Sequence, residues 1–547
     1  MKRLLLLLIT ILCVSEVFAD GAKYLIIAPD SFVPALQPLA DWKTKKGVLA
    51  KVVPLSVTGN TATQIKNYIL NAYNTWQIRP EYILLAGASN FIPCWGGYTR
   101  YSDDFYANMI GNYQIELSVG RFPCTTVIQI NTVVAKILMY ERTPFVDDTN
   151  WYKKGTSIIR EDNYLYLDTM YWNNARYIFG LWQYAGYSHI DSFSRLRGNN
   201  YQNVESAIND GRAYVAYQGS GAVANWYSPF AVDTSRMNNG FKLPVVISAS
   251  EVTMSMSTSG YLGDNLINAG TLQYPKGAIG FWGTTGIGAI ELQVCRVVAT
   301  RGFFRSVFSD KIYKLGDVAK RAKYILDSIH PAYYDTIRYH EWNLYGDPEL
   351  NLWTAVPKPL TVIYDSIITP NTTNVTVTVM SNGTPVPNAL VCIMKDTTIY
   401  VYGNTDSNGI RVFSISQQDT GTISITVTAR NCHPFEGTIR VLPSGVEESS
   451  IVKFQASSFT LQVYPNPAKS LSVIQYSLPV KGQVSLQLFD ISGRLVKTLV
   501  NDSKNAGDYS VIWNETDENN RKVSEGIYFC ILKTDEKCLK QKILVIK

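Results

Sequence analysis

The stretch Arg212-Ala213-Tyr214-Val215-Ala216-Tyr217-Gln218-Gly219-Ser220-Gly221 is an apolar run that ends in a glycine-flanked serine. A second stretch has the same design: Leu243-Pro244-Val245-Val246-Ile247, then Ser248-Ala249-Ser250-Glu251. Short apolar runs of this kind read as parallel strands buried on both faces, and the loops at their carboxyl ends are where α/β proteins hold ligands. Two neighbouring strand ends are also where a hydrolytic enzyme of this class places its base and its nucleophile. Ser220 and Ser250 stand there, 30 residues apart.

Outward from these loops the same alternation continues in both directions. Lys23–Ala28, Val48–Val53, Tyr82–Ala86 and Glu116–Phe122 read as strands, and Pro34–Lys46, Thr63–Trp76 and Thr126–Glu141 as helices. Ile65, Ile69, Ala72 and Tyr73 recur at helical spacing. The plan repeats after residue 150, with strands at Gly155–Arg160 and Gly277–Trp282 and helices at Tyr164–Ala185, Glu291–Phe308 and Leu315–Ser328. Strands alternating with helices predict mostly parallel sheets flanked by helices. Two subdomains are expected, 20–145 and 146–355. At Val356-Pro357-Lys358-Pro359 helical periodicity stops. Alternating strands with turn signals at Asn382-Gly383 and Asn408-Gly409 predict an immunoglobulin-like β-sandwich over 356–443. A polar linker at 444–458 leads to a second all-β sandwich over 459–547, where Val484, Leu486 and Leu488 alternate with polar residues.

Composition narrows the setting. Lys2-Arg3 precede the apolar run Leu4–Val14 and then Val17-Phe18-Ala19, which predicts a cleaved signal peptide over 1–19. Beyond it no apolar run reaches the roughly 20 residues of a membrane span, so no transmembrane segment is expected after signal removal. The formal charge of +6 is small for 547 residues and no Lys/Arg block stands out, which excludes nucleic acid as a partner. The seven cysteines after the signal show no Cys-x-x-Cys spacing, so zinc is not indicated. Cys392 with Cys432 is the pairing expected if a disulfide forms.

The α/β part resembles the gingipain family of secreted bacterial cysteine peptidases. Ile83-Leu84-Leu85-Ala86-Gly87 with Ile92-Pro93 carry the resemblance, together with Ser102-Asp103-Asp104-Phe105-Tyr106, Val119-Gly120-Arg121-Phe122-Pro123 and Asn343-Leu344-Tyr345-Gly346-Asp347-Pro348. It implies a caspase-like fold, with a catalytic histidine in a Tyr-x-Gly-His-Gly loop and a cysteine after the next core strand. On this alignment Ser220 takes the histidine position and Ser250 the cysteine position, or Ala249 if the register slips by one. A thiol attacks as thiolate, which a neighbouring imidazole supplies, and a serine needs a base still more. Glu251 is the carboxylate nearest these positions in the chain. Tyr217, Gly219, Gly221, Trp226 and Ala249 are expected to line the cleft. The resemblance also implies calcium, for which Asp103 and Asp104 are the candidate ligands; a turn cap is the other reading of that pair.

The C-terminal module resembles type IX secretion sorting domains and the related flagellar-hook-cap sandwich. Its motifs are Tyr464-Pro465-Asn466-Pro467, Phe489-Asp490-Ile491-Ser492-Gly493-Arg494 and Ser524-Glu525-Gly526-Ile527-Tyr528. It implies export by the secretion machinery, to the medium or the outer cell surface of a bacterium. Three functions are therefore in view. The first is a pseudo-peptidase that binds polypeptide or a surface partner. The second is an active cysteine endopeptidase with a displaced dyad drawing on His189 or Cys295. The third is a structural or adhesion component of the cell surface.

Overall fold

The computed structural model describes residues 21–442 and 459–546, apart from 97–100, 257–259, 287–289, 331–336 and 416–418 and residues 223, 397, 470, 506 and 520. The expected signal peptide and the linker at 444–458 lie outside the described residues. The chain divides into two compact units at Ser444/Gly445.

The first unit is built on one ten-stranded sheet. Its strands are β1 (Tyr24–Ala28), β2 (Ala50–Pro54), β3 (Tyr82–Ala86), β4 (Ser118–Phe122), β5 (Lys154–Ile159), β6 (His189–Ser194), β7 (Tyr214–Gln218), β8 (Val245–Ala249), β9 (Gly280–Thr284) and β10 (Trp342–Gly346). Their spatial order is β2-β1-β3-β4-β10-β9-β8-β7-β5-β6. The two halves read from sequence thus join edge to edge. β10 makes the join: it runs antiparallel to β9 and parallel to β4. Two parallel blocks therefore lie head to tail. Every residue of β1, β3, β7, β8, β9 and β10 is buried, as the apolar runs require of strands covered on both faces.

The helices form where caps and spacing agree. α1 (Val33–Lys45) has Pro34 in its first turn, where a missing N–H costs nothing. α2 (Ala62–Thr75) and α3 (Val127–Glu141) open with capping boxes, Thr61 with Gln64 and Thr126 with Gln129. α4 (Leu165–Tyr184), α5 (Tyr201–Asp210), α6 (Leu262–Asn268), α7 (Ile290–Phe308) and α8 (Leu315–Ile329) complete the layers.

Residues 361–441 form two facing sheets of four and five strands, closed over Val375, Val377, Val391, Ile393, Ile425 and Val427. This sandwich packs on the α/β part. Glu436 takes Lys45 and Arg142, Asn431 accepts the backbone N–H groups of Thr354 and Ala355, and the Tyr400 hydroxyl donates to Thr44 O. The second unit is a seven-stranded all-β module with Val484, Leu486, Leu488, Trp513, Leu532 and Ile543 in its core.

Among the described residues no disulfide is formed, so the expected Cys392–Cys432 pair is corrected. Cys392 lies within the strand Leu390–Lys395 with its Sγ toward Thr44 O, whereas Cys432 lies in a turn bridged to Lys358.

Candidate functional site

β7 and β8 are adjacent and parallel, with Tyr214 opposite Val245 and Gln218 opposite Ala249. Their register brings the Ser220 and Ser250 loops together at one end of the sheet. Gln293 of α7 ties the two strand ends, donating from Nε2 to Ala249 O at 2.9 Å and Gly219 O at 3.4 Å. Gly219 has φ +144°, and a Cβ there would lie 2.6 Å from Arg160 Cβ, so only glycine fits. Gly221 is held as tightly: a Cβ would lie 2.1 Å from Glu251 O and 2.6 Å from Ser250 Oγ.

Ser250 is 0% exposed and its Oγ is buried without a hydrogen-bond partner among the described residues. Ser220 is partly exposed. Its N–H donates to Asp162 Oδ2 at 3.0 Å and its carbonyl accepts the Tyr217 hydroxyl at 2.6 Å. Glu251 Oε2 accepts the Gly221 N–H at 2.7 Å, while its Oε1 lies 3.2 Å from Arg296 Nη1. The Arg296 guanidinium is fully buried and also grips Glu341, at 2.7 Å from Nη2. Glu251 is thus engaged by two donors, the Gly221 amide and the Arg296 guanidinium.

Tyr217, Trp226 and Ala249 do not line an open cleft; all three are 0% exposed. Tyr217 and Trp226 stack at 4.7 Å with 5° between their planes, and Trp226 Nε1 donates to Ser248 Oγ at 2.9 Å. Burying two large rings and satisfying the indole N–H favours this packing over exposure. Among the described residues of the loops, Ser220, Gly221, Tyr227 and Glu251 are at least partly open.

Among the described residues no histidine is hydrogen-bonded to either loop; His330 caps the C-terminal end of α8. His189 opens β6, where sequence reading placed only a connection. It pairs in register with Lys154, while Ile159, Gln218 and Ala249 share the level of Ser194. Five residues at about 3.3 Å each put His189 about 16 Å down the sheet, at the opposite end. His340 Nδ1 lies 2.8 Å from Asp104 Oδ2, and His433 belongs to the sandwich. Cys295 is buried in the main hydrophobic core.

Asp103 and Asp104 are neutralised by protein cations. Both oxygens of Asp103 take the Arg121 guanidinium, at 2.6 and 2.8 Å, and Asp104 takes Lys323 at 2.5 Å and His340. All four carboxylate oxygens are engaged by protein cations, which compete with calcium for them. Burial raises the Asp104 carboxyl, but Lys323 and His340 outweigh it and hold it low.

A second charged cluster escaped the sequence reading. Glu141, Asp347 and Glu349 converge, with ligand atoms within 4.8 Å of one another. Lysines fill the space between them. Lys43 Nζ lies 2.9, 2.6 and 2.6 Å from Glu141, Asp347 and Glu349, and Lys46 lies 2.6 Å from Glu141 and Glu349. Lys314 pairs with Glu349, and the Tyr24 hydroxyl donates to Asp347 Oδ1 at 2.8 Å. Three cations thus face three anions, which explains the aspartate of Gly346-Asp347-Pro348 as a structural anchor.

Residues 19–353 match the model of peptidase family C25. The chain belongs to this family. Residues 462–547 match the secretion system C-terminal sorting domain. Lys-gingipain of Porphyromonas gingivalis is 21% identical over 456 residues, covering 77% of this chain and 25% of that protein. Gingipain R2 of the same organism is 22% identical over 506 residues, covering 88% of this chain and 64% of that protein. The chain thus spans about a quarter of the length of the Lys-gingipains it matches. The pro- and mature domains of Porphyromonas gingivalis RgpB superpose with a TM-score of 0.69 at 18% identity, covering 77% of this chain and 100% of that one. That likeness carries the caspase-like fold. The C25 chain described here therefore bears a secretion sorting domain, which implies the secretion machinery and a secreted or cell-surface location. No helix among the described residues is long and apolar enough to cross a membrane.

Proposed function

We propose that this C25 family member is a catalytically silent peptidase homologue that binds polypeptide at the β7/β8 loops without cleaving it. The observation that carries the reading is Ser250, which we assign to the nucleophile position, whose hydroxyl is buried and, among the described residues, is hydrogen-bonded to no base. A serine hydroxyl attacks a carbonyl only when a positioned base removes its proton. The open surface of Ser220, Gly221, Tyr227 and Glu251 is the part left to meet a partner. The displaced-dyad endopeptidase, our runner-up, would need His189 to cross the sheet and Cys295 to leave the core. The stacked Tyr217–Trp226 pair favours another reading, a structural component of the cell surface, because it fills the volume behind the loops.

The test is hydrolysis of a denatured protein mixture by the full chain, with reductant, alongside Ser250→Ala and the double variant Ser220→His/Ser250→Cys. Wild-type and Ser250→Ala are expected to be inactive alike. Wild-type activity lost in Ser250→Ala would refute silence. Wild-type activity that survives Ser250→Ala would place the dyad elsewhere. Capture of unfolded polypeptide by the wild type separates the binding reading from the structural one.

A further inference from the structure

We propose that Glu251 is the resident occupant of an anion hole: its carboxylate takes the place that the carbonyl oxygen of a bound polypeptide would take against the Gly221 amide. The proposal rests on the reading of these loops as a silenced peptidase site. Gly221 lies directly against residue 250, since a Cβ on it would sit 2.6 Å from Ser250 Oγ. Its N–H is therefore the donor best placed to stabilise charge on a carbonyl attacked from position 250. That N–H instead makes a 2.7 Å charge-assisted bond to Glu251 Oε2. The neighbouring N–H, of Ser220, is likewise taken by Asp162 at 3.0 Å.

Charge sharpens the point. The Arg296 guanidinium is already balanced by Glu341, with contacts at 2.7 and 3.1 Å. Glu251 is a second carboxylate on the same cation, so it brings a net negative charge to the mouth of the hole, where a developing oxyanion would meet repulsion. Glu251 is also the removable member: its side chain is 21% exposed, whereas those of Arg296 and Glu341 are 0% exposed. The backbone just after it is strained. Val252, a β-branched residue, has φ +45°, and its N–H is held by Gly286 O at 3.3 Å. Such outliers persist where surrounding contacts over-determine them.

Two measurements test this on the full chain. With sodium formate as the probe, NMR on protein carrying carbonyl-labelled serine and nitrogen-labelled glycine selects four Ser–Gly amides, among which that of Gly221 is identified by its loss in Ser220→Ala. In wild type its resonance should ignore millimolar formate; in Glu251→Ala it should move and then titrate with formate. A wild-type resonance that titrates as the variant does, or a variant that stays at the wild-type position, overturns the proposal. The second measurement compares Ser220→His/Ser250→Cys with the same protein carrying Glu251→Ala. One oxyanion donor is worth about 10²–10³-fold in kcat, and the triple variant should gain on that order where the double variant turns over; equal kcat in two active proteins overturns the proposal. Formate binding reads the hole whether or not the wild type is silent, so failure of the functional reading and failure of this one are separable.

Discussion

Replacing Lys43 by methionine isolates the buried charge cluster. The ammonium is 0% exposed and touches Glu141, Asp347 and Glu349 within 2.9 Å. Methionine fills the stem's volume but leaves three buried carboxylates against Lys46 and Lys314 alone. Removing one partner of a buried ion pair costs about 3–5 kcal/mol. Titration gives a second route to the magnitude. Burial raises the Glu141 carboxyl, yet Lys43 and Lys46 outweigh it and bring the pKa from 4.5 to about 2. A displacement of that size is worth about 3 kcal/mol of Glu141 stabilisation, shared between Lys43 and Lys46, and so gives the scale of the cluster rather than the share of Lys43 alone. The sign is that of a depressed carboxylate: the stabilisation is complete above the unfolded value of 4.5 and is lost as pH falls through about 2. Urea unfolding at pH 7, followed by tryptophan fluorescence, should show Lys43→Met destabilised by about 3–5 kcal/mol. Its acid unfolding should begin at higher pH than in wild type. Lys43→Met/Glu141→Gln restores the balance of charge and should recover part of the loss. A Lys43→Met variant within about 1 kcal/mol of wild type, a value typical of an exposed pair, would refute the argument.

Ser250→Ala deletes a hydroxyl that is buried without a partner, so urea unfolding should show no loss and up to about 1 kcal/mol of gain; a loss beyond that would mean the hydroxyl is bonded. Asp264 is raised by burial from 3.8 to about 7, so wild-type stability should fall as pH rises between those values. Asp264→Asn should flatten that slope and exceed wild type above pH 7 by as much as about 4 kcal/mol. A slope that persists in the variant would assign the titration to another group.

Most of the α/β scaffold was legible because its strands are short apolar runs and its helices carry apolar residues at helical spacing, such as Ile65, Ile69 and Ala72. β6 was not, since its two apolar residues, Ile190 and Phe193, are three apart and give neither an apolar run nor a period of two, as suits a strand at the sheet edge. Trp342–Gly346 was visible as a motif but not as a central strand, because strand order is not written in local periodicity. The positions of Ser220 and Ser250 followed from their strands. The surroundings did not: Glu251 meets the Gly221 amide across 30 residues and Lys43 meets Glu141 across 98. Lys43 and Lys46 beside buried Trp42 on α1 were the available signal, charges on a face that otherwise looks inward.

The placement of β10 sets an order of events during folding. It lies between β4 and β9, yet residue 342 is reached only after every other strand of the sheet has been made. Until then the chain holds two separate half-sheets, each with an unpaired inner edge, the kind of edge that recruits other strands. Closing the sheet brings Arg121 beside Tyr345 and Tyr24 to Asp347, pairings more than 200 residues apart in the chain. Contacts of such long range form slowly and leave intermediates exposed. A chain cut before Trp342 would retain both halves and lack the strand that joins them, whereas one that reaches Glu349 also delivers the carboxylates that Lys43 is waiting to bind.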